Sequence, residues 1–186
     1  MEAVEAGIRF LGQNYIADAR RVGPAVRGQA AMHFIGRLRV HDVRASSLSL
    51  FDMIQSVDSL EAAVRIDRVC SVMGRTMPVL IEVNSGREPQ KSGVLPESVE
   101  SLVRRVSLLG NVQVVGLMTM GPLLHEASHY RPYFAETRRL FQELRHLGIP
   151  RVLMNHLSMG TSNSYEVAIE EGSTMVRIGT GIFESR

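Results

Sequence analysis

Seven short apolar runs recur along this chain, and longer amphipathic stretches separate most of them. The runs cover residues 8–11, 33–35, 53–57, 79–83, 112–118, 152–155 and 174–178. Between them, residues 60–73 set Ala63, Ile66, Val69 and Cys70 on one helical face behind Ser59, a favourable N-cap. Residues 96–109 do the same with Val99, Leu102, Val103 and Val106 and stop at Gly110. Residues 133–147 repeat the pattern through Tyr133, Thr137, Leu140, Phe141 and Leu144 ahead of Gly148. Residues 17–26 and 165–171 read as further short helices, whereas "RLRVHDVRASSLSL" fits neither template. Strand, helix, strand at this spacing requires right-handed crossovers and hence a parallel sheet.

A parallel sheet of this kind either stays open and doubly wound or closes into an eight-stranded barrel. Polar and small residues collect directly after the runs: Gly12-Gln13-Asn14, Gly36, Asp58, Asn84-Ser85-Gly86, Thr119-Met120-Gly121, residues 156–162 and Gly179-Thr180. A site assembled from the C-terminal ends of nearly every strand favours the barrel. Seven runs are one short of eight, and the chain opens inside the helix-like "MEAVEAG". The expectation is therefore a single barrel domain over residues 1–186 that lacks its first strand.

With 45% hydrophobic and 22% charged residues, the composition is that of an ordinary globular protein. No apolar stretch reaches membrane-spanning length, and the N-terminus has neither the basic start nor the apolar block of a signal peptide. The net charge is +2, from 21 basic and 19 acidic residues, with no basic run to hold nucleic acid. The arginines at 20, 21, 27, 37, 39 and 44 make either a solvated face or an anion-attracting rim. A single cysteine, Cys70, excludes an internal disulfide, fits a reducing compartment and reads as a small buried apolar residue. A cytoplasmic location is expected.

Three motifs carry chemistry. "HEASH", residues 125–129, has the H-E-x-x-H spacing of a zinc site, which needs both histidines on one helical face. Pro122 and Pro132 bracket it too closely for a long helix, so a polar loop is the simpler reading. "LSMGTSNS", residues 157–164, is either a phosphate cradle or a helix-capping loop. "RIGTG" after the last run is a second such loop, and barrels commonly seat phosphate on the loops after their last two strands. Neither a Gly-rich dinucleotide fingerprint nor a Walker loop is present, so the anion would be one phosphate on a small cofactor. Arg177 lies in the apolar run just ahead of that loop, where a guanidinium needs a partner. It faces the ligand beyond the phosphate, where it would keep a ring nitrogen unprotonated, or it forms a buried ion pair with a carboxylate such as Glu82.

Several segments in order resemble the pyridoxal phosphate homeostasis proteins, also called the alanine racemase N-terminal-like or proline-synthetase co-transcribed family. They are "FLGQNYIADA", "MHFIGRLR", "QSVDSLEAA", "VLIEVNSGREPQKSGV", "VVGLMTMG", "HLSMGTS" and "GSTMVRIGTGIF", which together span the chain. The resemblance implies a (β/α)8 TIM barrel of the fold-type III pyridoxal-phosphate class, with pyridoxal 5'-phosphate as cofactor. It implies that Ser162, Gly179 and Thr180 hold the phosphate and that Arg177 faces the pyridine nitrogen. Asn14 would sit near the ring and His33 near the barrel floor.

The sequence also departs from the family. The family's Schiff-base lysine lies on a first strand upstream of the helix in which this chain begins. The only lysine here, Lys91, matches a different family lysine, in a loop after a middle strand. The two acidic residues usual after the S-M-G-M-S loop are Asn163 and Ser164, and its second methionine is Thr161. Either the start is placed too late or the chain is a shortened member. The resemblance implies a non-catalytic protein of intracellular pyridoxal-phosphate homeostasis, holding the cofactor non-covalently. The alternatives are a racemase- or decarboxylase-like enzyme of the same fold, or a remnant that binds nothing. The expected partners are the cofactor itself, pyridoxal-phosphate-dependent apoenzymes, and further copies of the chain through exposed sheet edges. Neither nucleic acid nor a membrane is among them.

Overall fold

The computed structural model describes residues 2–183 and contains one seven-stranded sheet whose strands run in sequence order. They are β1 (Phe10–Gln13), β2 (Ala31–Phe34), β3 (Met53–Val57), β4 (Met77–Val83), β5 (Val112–Thr119), β6 (Val152–Thr161) and β7 (Met175–Arg177). Every neighbouring pair is parallel. The crossovers are α2 (Ile16–Val26), the short α3 (Ala45–Leu48), α4 (Leu60–Met73), α5 (Val99–Val106), α6 (Arg131–His146) and α7 (Tyr165–Glu170). Two further single-turn helices, α1 (Glu2–Glu5) and α8 (Thr180–Phe183), flank the set.

The sheet curls until its far strands meet. In a flat sheet β3 and β7 would lie four strand spacings apart, about 19 Å. Gln55 Nε2 on β3 instead stands 3.1 Å from Met175 Sδ on β7. Because β1 and β7 do not pair with each other among the described residues, the result is a nearly closed parallel barrel, as expected for seven strands of an eight-stranded plan.

Strand alternation divides the apolar residues between two faces. On β4, Val79, Ile81 and Val83 pack outward under the helices with Ile66, Val103 and Phe134. Leu80 points the other way and joins Met53, Val115 and Met118 in a separate interior cluster. Glu82, two residues beyond Leu80, shares that inner face.

The expected element boundaries hold closely for β3 and α4, where Ser59 Oγ accepts from the Ala62 amide and Gly74 closes the helix at φ +63°. Cys70 is fully buried in α4. One expectation changes and one holds. The segment from residue 156 to 161, expected as loop, continues β6: Leu157 and Met159 pack outward, while Ser158 faces an interior that is polar at this level. A strand with a polar inner face lacks an apolar run and so reads as a loop. "HEASH" is an exposed loop running into a 3-10 turn (Ala127–Tyr130), so its histidines share no helical face. Among the described residues no group of three His, Cys, Asp or Glu side chains could hold a metal, and no helix is long and apolar enough to cross a membrane.

Candidate functional site

The C-terminal ends of the strands converge around Arg177, the last residue of β7. Its Nη1 donates to Ser158 Oγ at 2.6 Å, and its Nη2 donates to the Thr119 carbonyl at 2.8 Å and to Met120 Sδ at 3.0 Å. A guanidinium carries five N–H donors. Three are engaged here, and two have no acceptor among the described residues. The ion pair with Glu82 considered above does not form, since each Arg177 bond goes to a hydroxyl, a carbonyl or a sulfur. The two charges still feel each other. Burial pushes the Glu82 carboxyl from its usual 4.5 up to about 7; Asp58 adds to this, and Arg177 and Arg37 oppose it. Burial likewise pulls Arg177 down to about 10, with Glu82 opposing. The arginine therefore remains charged at neutral pH.

Behind Arg177 runs a chain of buried side chains. Ser158 Oγ donates to Gln55 Oε1 at 2.7 Å, and Gln55 Nε2 lies 3.0 Å from His33 Nδ1. Burial pulls His33 down to about 4; His156 adds to the effect and Asp52 opposes it. The ring is neutral at pH 7, so its Nδ1 can accept from the amide. The Phe10 ring lies over it with centroids 5.3 Å apart. His33 thus sits under Gln55, in the barrel interior.

At the rim, the loops after β6 and β7 meet on one oxygen. Ser162 Oγ accepts from the Gly179 and Gly181 amides, each at 3.2 Å. Thr161 N donates to Ser164 Oγ at 3.1 Å and Thr161 Oγ1 to Asn163 Oδ1 at 2.9 Å, which folds the first loop tightly. The fold there requires glycine at position 160: φ is +92°, and a Cβ would stand 2.5 Å from that of Ala168. Thr180 is exposed at the start of α8, and Asn14 is exposed directly after β1. The Asn14 carbonyl would lie 2.1 Å from a Cβ on Gly36, so the first two strand ends abut.

Beside Arg177 opens a cavity of about 260 Å³ lined by Glu82, Asn84, Ser85, Lys91, Met120 and Thr161, among others. Lys91 Nζ is held by the Gly121 carbonyl at 3.1 Å and by Glu88 at 2.5 Å. A larger cavity of about 480 Å³ lies at the other end of the strands, where Arg9, Arg20 and Arg27 line it together with Asp52. The structure thus brings Arg177, Ser162, Gly179 and Thr180 to one mouth, keeps Asn14 at the rim and sets His33 beneath it. Gln55, Gly181 and the Thr119 carbonyl were not foreseen. Gln55 left one signal, a lone amide inside the apolar run M-I-Q-S-V.

The family profile described as "Alanine racemase, N-terminal domain" matches residues 1–186. The pyridoxal phosphate homeostasis protein of Aquifex aeolicus is 38% identical over 186 residues, covering 100% of this chain and 80% of that protein. The mouse protein of the same name is 34% identical over 197 residues, covering 100% and 72%. PipY of Synechococcus elongatus, solved with PLP bound, superposes with a TM-score of 0.87 at 31% identity over 98% of this chain and 84% of that one. The same protein without PLP gives 0.89 at 32% identity over 98% and 85%. Alanine racemase of Clostridium difficile shares the fold, with a TM-score of 0.73 at 18% identity over 95% and 45%.

Proposed function

Because this chain belongs to the pyridoxal phosphate homeostasis protein family, built on the alanine racemase N-terminal domain, we propose that it binds pyridoxal 5'-phosphate at the Arg177 mouth without a covalent bond. The observation that carries the reading is the pair of N–H donors without an acceptor among the described residues on a half-buried guanidinium held by three hydrogen bonds, at the same mouth where two glycine amides converge on a single oxygen. Both features fit the ligand. An acceptor nitrogen on a ring suits the free guanidinium donors, and a phosphate oxygen can take the acceptor position that Ser162 Oγ now holds.

Ser162, Gly179 and Thr180 would hold the phosphate, with the Gly181 amide beside them, and Asn14 would lie at the rim near the ring. His33, beneath Gln55, supports the site from behind. Bound pyridoxal phosphate supplies an electrophilic aldehyde and an electron-withdrawing ring. Arg177 cannot give up its proton to the ring nitrogen, so it keeps that nitrogen unprotonated and weakens the ring as an electron sink. Lys91, the only lysine in the 186 residues, is engaged by Glu88 and the Gly121 carbonyl. A carrier that releases its cofactor intact to apoenzymes suits these residues better than a catalyst does. The edges of β1 and β7, unpaired among the described residues, also favour self-association.

The test is pyridoxal-phosphate binding to this chain, followed by borohydride reduction and intact mass measurement. Retained cofactor with no mass increase is expected. A stoichiometric adduct on Lys91 would overturn the non-covalent reading, and absence of binding would overturn the function. Arg177→Ala removes a charge-assisted hydrogen bond and should weaken binding roughly tenfold to a hundredfold.

A further inference from the structure

The polar contacts behind Arg177 extend far beyond any group that could touch a ligand at the mouth. Arg177 on β7 donates to Ser158 on β6, Ser158 to Gln55 on β3, and Gln55 to His33 on β2, at 2.6, 2.7 and 3.0 Å. Ser158, Gln55 and His33 are 0%, 2% and 4% exposed, so water does not compete for these bonds. A buried amide is costly unless its valences are met. Those of Gln55 are met by side chains of this one chain: its oxygen by Ser158, its nitrogen by His33 and by Met175 Sδ at 3.1 Å.

The direction of donation matters. A serine hydroxyl has one proton, and Ser158 gives it to Gln55, which leaves a lone pair facing Arg177. Turning the Gln55 amide over would make Ser158 accept from both sides and leave its own proton without an acceptor. Because Arg177 can only donate, Ser158 must donate to Gln55 Oε1, so Gln55 Nε2 faces His33, whose neutral ring can accept at Nδ1. We infer that Gln55 is a positioning residue, orienting the Arg177 guanidinium through Ser158, and that His33 and Met175 hold its amide from behind. The inference rests on the reading above that Arg177 faces the ring nitrogen.

The experiment compares affinities of the full chain for pyridoxal phosphate and for its 1-deaza analogue, in which C–H replaces the ring nitrogen. The ratio reports Arg177 alone, whereas a general loss of structure moves both affinities together. The unaltered protein should prefer pyridoxal phosphate by about tenfold or more, the value of one charge-assisted hydrogen bond. Arg177→Ala should abolish that preference. Gln55→Leu should remove most of it while leaving affinity for the deaza analogue within about twofold, as expected for a group that never touches the ligand. Gln55→Glu keeps an acceptor toward Ser158 and can take a hydrogen bond from the other His33 tautomer, so it should retain the preference. Ser158→Ala breaks the same chain with a smaller change and decides the matter should Gln55→Leu not fold.

Wild-type discrimination in Gln55→Leu or Ser158→Ala would overturn the inference, as would an equal loss of affinity for both ligands. A failure of the functional reading looks different. The unaltered protein would then not bind pyridoxal phosphate, or would not distinguish it from the deaza analogue, and the inference would fall with its premise.

Discussion

Glu82→Gln should make this protein more stable at neutral and alkaline pH and leave it nearly unchanged at pH 4. Glu82 is 8% exposed, and its carboxylate accepts no hydrogen bond among the described residues. Burial raises its pKa from 4.5 to about 7, with Asp58 adding to the shift and Arg177 and Arg37 opposing it. Below pH 4.5 the group is protonated in both the folded and the unfolded chain and costs nothing. As the pH rises, the unfolded chain releases the proton while the folded chain keeps it, so stability falls until the pH passes about 7. Each pKa unit corresponds to about 1.4 kcal/mol, so the move from 4.5 to about 7 costs the folded state about 3 kcal/mol at pH 8. Glutamine has the same shape without the charge. Denaturant unfolding of both proteins at pH 4, 5, 6, 7 and 8 should show the variant's advantage growing from near zero at pH 4 through about 1 kcal/mol at pH 5 to about 3 kcal/mol at pH 8. A difference that stays constant across this range would refute the reasoning, because only a titrating group makes it vary.

Other sites give simpler tests. Gly160→Ala forces a Cβ to 2.5 Å from Ala168 at φ +92°, so it should destabilise the chain by about 2 kcal/mol or more in thermal unfolding and loosen the loop carrying Ser162. Ser59→Ala removes the hydroxyl that caps α4 and should cost about 1 kcal/mol in denaturant unfolding, with cofactor affinity unchanged. Ile66→Ala, at a fully buried position between α4 and the sheet, should cost about 2–5 kcal/mol by the same assay.

The barrel was legible because its outward faces obey simple periodicities. Val79, Ile81 and Val83 alternate against helices whose apolar stripes recur every three or four residues, and those two patterns are local. The rim was legible because "MGTS" and "RIGTG" gather glycines and hydroxyls at the C-terminal ends of the last two strands, although the first of these motifs lies mostly within β6. The inner face was not. Ser158 and His156 broke the apolar run of β6, and the strand extends to Thr161 because its inner side chains meet polar partners rather than an oily core. The same cause hid Gln55, whose partners at 33, 158 and 175 lie far from it in the chain.

What the sequence alone determined is the order of elements, their parallel direction and the end of the sheet that collects polar residues, because each follows from contacts within about one strand–helix unit. Whether Arg177 would pair with Glu82 was decided only in three dimensions. The curl of the sheet brings Ser158 and the Thr119 carbonyl within hydrogen-bonding distance of the guanidinium, so its charge is satisfied without a carboxylate and two of its donors are left over. Such a closure depends on the summed twist of seven strands, a property no single segment carries.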